Sequence, residues 1–215
     1  MRKKISMGKQ VRYWVEYILA RFVFWSFRLM GRDKASNVGA WLGQRIGPHL
    51  SAHKTAVKNL KMALPDLSDA ERIKILRDMW RNLGRNAAEI PFVREFFMNA
   101  SGVELVGQEY LDEYLASGEA ALFVTGHYGP WEATALAGKH CNIDVSVIYR
   151  AANNPMVDAY FQKERQGVGY KFFPKGKSGA RAILKALKAK EPVALLNDQK
   201  QNSGVAIPFF GKPAM

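Results

Sequence analysis

Ala120-Ala121-Leu122-Phe123-Val124-Thr125-Gly126-His127-Tyr128-Gly129-Pro130-Trp131-Glu132 changes character twice within a short span. An apolar run ends at Thr125, a glycine-flanked loop carries His127, and Pro130 stands where a fixed φ and a missing N–H suit the first position of a helix. The stretch therefore reads as strand, loop, helix. Similar apolar runs recur at Val103–Val106, Ile143–Tyr149, Tyr170–Phe173 and Val193–Asn197, with helical stretches between them. Short strands alternating with helices predict an α/β fold with a mainly parallel sheet flanked by helices. Sites in such sheets lie beyond the carboxyl ends of the strands, which is where His127 falls.

Residues five apart on one helix diverge by about 140°, so His127 and Glu132 cannot pair as members of a single helix. With Pro130 opening the helix, His127 becomes a loop residue and Glu132 a first-turn carboxylate, held as an anion by the helix dipole. The loop can then fold the imidazole back onto the acid. A carboxylate on one ring nitrogen sets the tautomer and raises basicity at the other, which suits a general base that takes a proton from an alcohol attacking a thioester. On spacing alone the alternative stays open that His127 is a structural loop histidine and Glu132 an ordinary helix-start charge.

Upstream, Tyr13–Met30 is dense in large apolar and aromatic residues but interrupted by Glu16, Arg21 and Arg28, so an uninterrupted spanning helix is not expected. Basic residues flank it (Arg2, Lys3, Lys4, Lys9 and Arg12 before, Arg32 and Lys34 after), as in a helix lying in an anionic leaflet with snorkelling arginines. The alternative is a core helix of a soluble protein. No small-residue cleavage site follows, which argues against a secretory signal. These features divide the chain into an N-terminal membrane-associated helix (1–32), a helical segment packed on the core (33–100) and an α/β core (101–215).

Within the middle segment, Gly47-Pro48 stops one helix and a second is expected from Ser51 to Leu64. Ser68 with Glu71 three residues on predicts a capping box. The long helix it opens carries Ile73, Leu76, Met79, Trp80, Leu83, Ala87 and Ile90 on one face. His49 and His53 are read as solvated rather than metal-binding, because no Cys, Asp or Glu stands close by. Lys54, Lys58 and Lys61 form a basic stripe, either an ordinary wet face or a contact for an acidic surface.

The charge balance, 32 Lys+Arg against 19 Asp+Glu for a formal +13, favours anionic partners without choosing among them. A single cysteine, Cys141, excludes an internal disulfide and fits a catalytic domain facing the cytoplasm. Neither a metal cluster nor a dinucleotide fingerprint is present, so no metal and no cofactor is expected. Gly176-Lys177-Ser178 resembles the end of a phosphate-binding loop, but the glycine needed five positions earlier is Lys171, so it reads as a loop opening a helix.

The segment from His127 to Glu132 resembles the HX4(D/E) motif of glycerolipid-type acyltransferases, and more narrowly the late acyltransferases of lipid A biosynthesis, the lauroyl and myristoyl transferases. Further likeness follows in family order: Asn59-Leu60 before Pro65, Trp80-Arg81-Asn82-Leu83-Gly84, Tyr149-Arg150 with Asn154-Pro155, Lys175-Gly176 with Ser178, and Asp198-Gln199 before Pro208-Phe209-Phe210-Gly211. The resemblance implies His127 as catalytic base and Glu132 as the acid that orients it. It implies acyl transfer from acyl carrier protein, or acyl-CoA, to a hydroxyl of a phosphorylated glycolipid acceptor at the inner membrane. Family members usually continue well beyond a segment like Phe209-Phe210-Gly211, so the core reads as cut short at its C-terminus.

Arg150, at a strand end, is expected near His127 if the two strands are neighbours, where a guanidinium can grip a phosphate or an oxyanion. Arg165 and Lys175 are expected to widen that anionic site, and Asp198 to orient Arg150 or its loop. The competing functions are acyl-CoA-dependent acylation of another glycolipid or phospholipid and, in a different class, a non-catalytic basic protein binding membrane or nucleic acid. Against nucleic acid, the positive charge is spread along the chain without a recognisable motif.

Overall fold

The computed structural model describes residues 6–99, 104–130, 145–165, 170–174, 176–198 and 205–214. Helix α1 (Met7–Met30) ends at Gly31, whose φ of 76° turns the chain directly into α2 (Arg32–Ile46). A 3-10 turn at Gly47–His49 leads to α3 (Ser51–Ala63), and α4 (Asp69–Glu89) follows a short loop. Ser68 caps α4 as expected: its hydroxyl accepts from the Glu71 N–H at 3.3 Å, and the Glu71 carboxylate accepts from the Ser68 N–H at 2.8 Å. The Ser68 hydroxyl also donates to the same carboxylate at 2.6 Å, and this bond, followed by the one from the Ser68 N–H, holds the Glu71 carboxyl below its usual range. A second 3-10 turn (Ile90–Phe92), α5 (Val93–Asn99) and α6 (Gln108–Ser117) complete the helical half.

Helices α2 and α4 approach closely enough for their backbones to touch. A Cβ on Gly39 would collide with the Gly84 carbonyl oxygen and the Ala88 side chain, and one on Gly84 with the Gly39 carbonyl oxygen. This small-residue contact decides which face of α4 turns inward. Leu76, Trp80 and Ala88 are buried, whereas Ile73 and Leu83, expected on the inner face, are 60% and 46% exposed. The apolar periodicity thus picked the right helix but centred its buried stripe wrongly, because glycine and alanine carry little weight in a hydrophobic pattern.

Strands β1 (Leu122–Thr125), β2 (Val145–Tyr149), β3 (Tyr170–Pro174) and β4 (Val193–Leu196) form one parallel sheet in the order β1-β4-β2-β3. Helix α7 (Pro155–Glu164) links β2 to β3, and α8 (Lys177–Lys188) links β3 to β4. The α/β class with a parallel sheet is as the sequence predicts. The last strand inserts between the first and the second, so β1 and β2 are not neighbours. Val193 on β4 and Ser146 on β2 are fully buried at this centre, and burying a valine side chain stabilises by about 1.5–3 kcal/mol.

Two segments depart from expectation. Glu104–Val106, expected in a strand, lies outside the sheet; Val106 is 83% exposed, and Gly107 at φ 84° turns the chain straight into α6. The run is too short to separate a strand from an extended connection by pattern. Conversely, β5 (Ile207–Phe209) and β6 (Lys212–Ala214) form an antiparallel hairpin that the apolar pattern did not reveal. Its two-residue turn places Phe210 and Gly211 at φ 48° and 75°, the backbone signs of a type I′ turn, in which a phenylalanine is unusual.

The N-terminal helix packs one side only. Tyr13 and Phe27 are buried, and Phe27 joins Ala35, Ala88 and Phe92 in a cluster. Phe24 stacks on Tyr160 of α7, with centroids 5.4 Å apart, and the Arg28 guanidinium donates to the Pro91 carbonyl at 2.7 Å and to Glu164 at 3.1 Å. The opposite side leaves Trp14, Ile18, Phe22 and Trp25 more than half exposed. No helix among the described residues is long and apolar enough to cross a membrane.

Candidate active site

Both β1 and β4 end on residues that face each other across the ladder, Thr125 opposite Leu196. The register continues past the strands, for the Asn197 N–H donates to the Thr125 carbonyl at 3.3 Å. One residue further on, His127 and Asp198 are level. Their contact is double: the His127 backbone N–H donates to Asp198 Oδ2 at 2.6 Å, and the ring Nδ1 lies 2.7 Å from Oδ1. A Cβ on the intervening Gly126 would stand 3.1 Å from Asp198 Oδ2, so the glycine keeps room for the carboxylate.

Burial pushes the Asp198 carboxyl up, but the hydrogen bonds from the His127 backbone and ring, with the ring's charge, outweigh it and hold the group below the usual carboxylate range. An ionised carboxylate can only accept, so Nδ1 carries the proton and the basic lone pair belongs to Nε2. The pair is neither sunk in the core nor loose on the surface, with side chains 28% and 40% exposed.

Asn82 of α4 fastens the loop from the other side, its amide donating to the Tyr128 carbonyl at 2.6 Å. The helical half thereby reaches the residue next to His127.

The other sequence candidates are placed differently. Arg150 follows β2 and, with β4 between β1 and β2, stands two strands from His127, about 10 Å at the usual strand spacing. It shares the carboxyl edge of the sheet with His127 but is not its neighbour; its guanidinium reaches Asn153 at 3.4 Å. Asp198, expected to serve Arg150, is engaged with His127 instead. Arg165 ends α7 and rests over the rings of Tyr149 and Phe172, 5.1 Å and 5.9 Å from their centroids. It is thus built into the aromatic packing beneath β2 and β3. Glu132 and Lys175 lie outside the described residues. Of the two upstream histidines, His53 is not solvated as expected: its Nδ1 accepts from the buried Trp80 indole at 3.0 Å. Among the described residues no three His, Cys, Asp or Glu side chains gather as a metal site.

The sequence placed both His127 and Asp198 just beyond strand ends, but it ran the last strand on to Asn197, and their equal offset of two residues follows from β4 ending at Leu196. Strand adjacency was not readable in the sequence. Asn82 carried no signal of its own beyond the Trp80–Gly84 likeness.

The profile of the bacterial lipid A biosynthesis acyltransferases matches residues 2–215, nearly the whole chain. The chain belongs to that family. No curated protein matches the sequence. As a lipid A biosynthesis acyltransferase it is an O-acyltransferase enzyme, which sets aside the reading as a non-catalytic basic binding protein. In this acyltransferase the imidazole–carboxylate pair occupies the strand ends where an α/β sheet presents its chemistry.

Proposed function

We infer that the protein transfers a fatty acyl chain from acyl carrier protein to a hydroxyl of a lipid A precursor, with His127 as the general base. The observation that carries this reading is the His127–Asp198 pair at the ends of two adjacent parallel strands. Asp198 holds Nδ1–H, so Nε2 takes the proton from the acceptor hydroxyl as its oxygen attacks the thioester carbonyl. Collapse of the tetrahedral intermediate expels the thiolate, and the imidazolium returns the proton to sulfur. The chemistry requires no seryl or cysteinyl nucleophile.

Glu132, one helical turn from the loop in sequence, is the second acid of this reading, acting on the same imidazole or on the loop that carries it. Arg150, on the same sheet edge but about 10 Å from the base, suits a grip on the acceptor's phosphate better than on the reacting carbonyl. Arg165, Lys175 and the remaining cations supply the surrounding positive field. The exposed aromatic side of α1, with Arg12 and Arg21 beside it, suits an interfacial helix on the anionic inner membrane, with the sheet edge on the cytoplasmic side.

Mass spectrometry of products from the purified protein, offered acyl carrier protein and acyl-CoA donors separately with a lipid A precursor, tests the reading. Addition of one acyl group that disappears with His127→Ala is the expected result. Transfer only to another glycolipid or phospholipid, or only from acyl-CoA, would replace the substrate assignment. Wild-type rates in the His127→Ala protein would remove the mechanism.

A further inference from the structure

Helix α3 carries a stripe of lysines along its outer side, and no salt bridge among the described residues neutralises it. Lys54, Lys58 and Lys61 are all exposed, and the helix contains neither Asp nor Glu. At about 100° per residue the three lie within an arc of about 60°, along roughly 10 Å of helix. Among the described residues none of them joins an ion pair. The acids of the adjacent α4 are engaged elsewhere: Asp69 with Arg72, Glu71 with Ser68, Asp78 with Arg81, and Glu89 with Ser36 of α2.

This stripe is tied to the catalytic loop by two contacts. Asn82 of α4 holds the Tyr128 carbonyl beside His127, and two residues earlier on α4 the Trp80 indole holds His53. Lys54 is the next residue in the chain. The stripe therefore begins one interhelical spacing, about 8–10 Å, beyond the helix that touches the His127 loop.

We propose that the Lys54–Lys58–Lys61 side of α3 docks the acyl donor, an acidic carrier protein that presents the acyl chain as a thioester on a flexible arm. The proposal rests on the acyl-transfer reading of the His127 site and names the surface its donor uses. Charge complementarity selects an acidic partner. A membrane is the poorer fit, because α3 carries no Trp, Tyr or Phe and its one leucine, Leu60, is half-buried, whereas interfacial helices pair their basic side chains with exposed Trp, Phe and Leu. The aromatic face belongs to α1, which packs on α2 and α7.

The test measures binding of acyl carrier protein charged with a dodecanoyl chain to the full-length protein by fluorescence anisotropy, at low and high salt. The proteins compared are wild type, Lys54→Glu/Lys58→Glu/Lys61→Glu, the milder triple Gln variant, and His127→Ala. The proposal expects at least about tenfold weaker binding in the Glu variant, a smaller loss in the Gln variant, and a shallower salt dependence in both. Sedimentation with phosphatidylglycerol vesicles and the thermal melting curve should stay as in wild type. Unchanged carrier binding in the Glu variant overturns it, and so does loss of vesicle binding with carrier binding retained. His127→Ala should bind the carrier normally while losing turnover. Should it keep turnover, the acyl-transfer reading fails, while the binding comparison still decides the docking surface.

Discussion

The α2–α4 pair and the carboxyl edge of the sheet obey opposite rules. Where the helices cross, Gly39, Gly43 and Gly84 bring backbone against backbone, and a single methyl group has no room. At the sheet edge, His127 and Asp198 keep part of their surface in solvent and are brought level by strand register. The first region is built for stability and tolerates no added volume. The second is held by charge and hydrogen bonds and is sensitive to charge and proton placement. Asn82 is the described hydrogen bond by which the first region positions the loop of the second.

Four substitutions break or sharpen that contrast. His127→Ala should lower acyl transfer by about 10²–10⁴-fold, the usual range for a lost general base, with only the small drop in melting temperature that loss of the ring's bond to Asp198 brings. Steady-state kinetics beside a thermal melt decides it. Asp198→Asn keeps the shape but removes the carboxylate that sets the tautomer, and we expect a fall of about 10²–10⁴-fold in kcat with a smaller change in KM.

The same variant has a pH signature. The Asp198 carboxyl sits below its ordinary value of 3.8, so its contribution to stability is full above that value and is lost as pH falls through the depressed folded one. The stability gap between wild type and Asp198→Asn, measured by urea titration, should therefore close below about pH 3.8. A gap that widened on acidification would contradict the pairing.

Gly39→Ala should reverse the normal helix preference. In an open helix the change stabilises; here the Gly84 carbonyl oxygen stands in the way, and we expect a loss of about 1–3 kcal/mol with unchanged activity per folded molecule. The smallest effect belongs to Ser68→Ala, which removes the α4 cap and should lower the melting temperature by about 2–4 °C. Calorimetry on both variants tests whether the helical half can be weakened without touching the chemistry.

Local rules accounted for much of what was legible in advance. Pro, Gly and Ser placed the start of α4 and the end of α2, apolar runs placed β1 to β4, and the strand-to-loop change put His127 at a strand end. Each of these depends on residues within one or two turns of one another. The buried stripe of α4 was misjudged because close packing of glycines leaves no hydrophobic trace. The hairpin at Ile207–Ala214 escaped because its turn uses Phe210 where a small residue is the usual choice.

From the sequence by itself came the α/β class, the parallel strands, the family likeness and a histidine poised at a strand's carboxyl end. Only the tertiary structure decided which acid that histidine meets in the described residues. The reason is physical: β4 enters the sheet between β1 and β2, so residues 71 apart in the chain become hydrogen-bonded neighbours. Strand order is set by how the whole core packs, and no local pattern of apolar and polar residues encodes it.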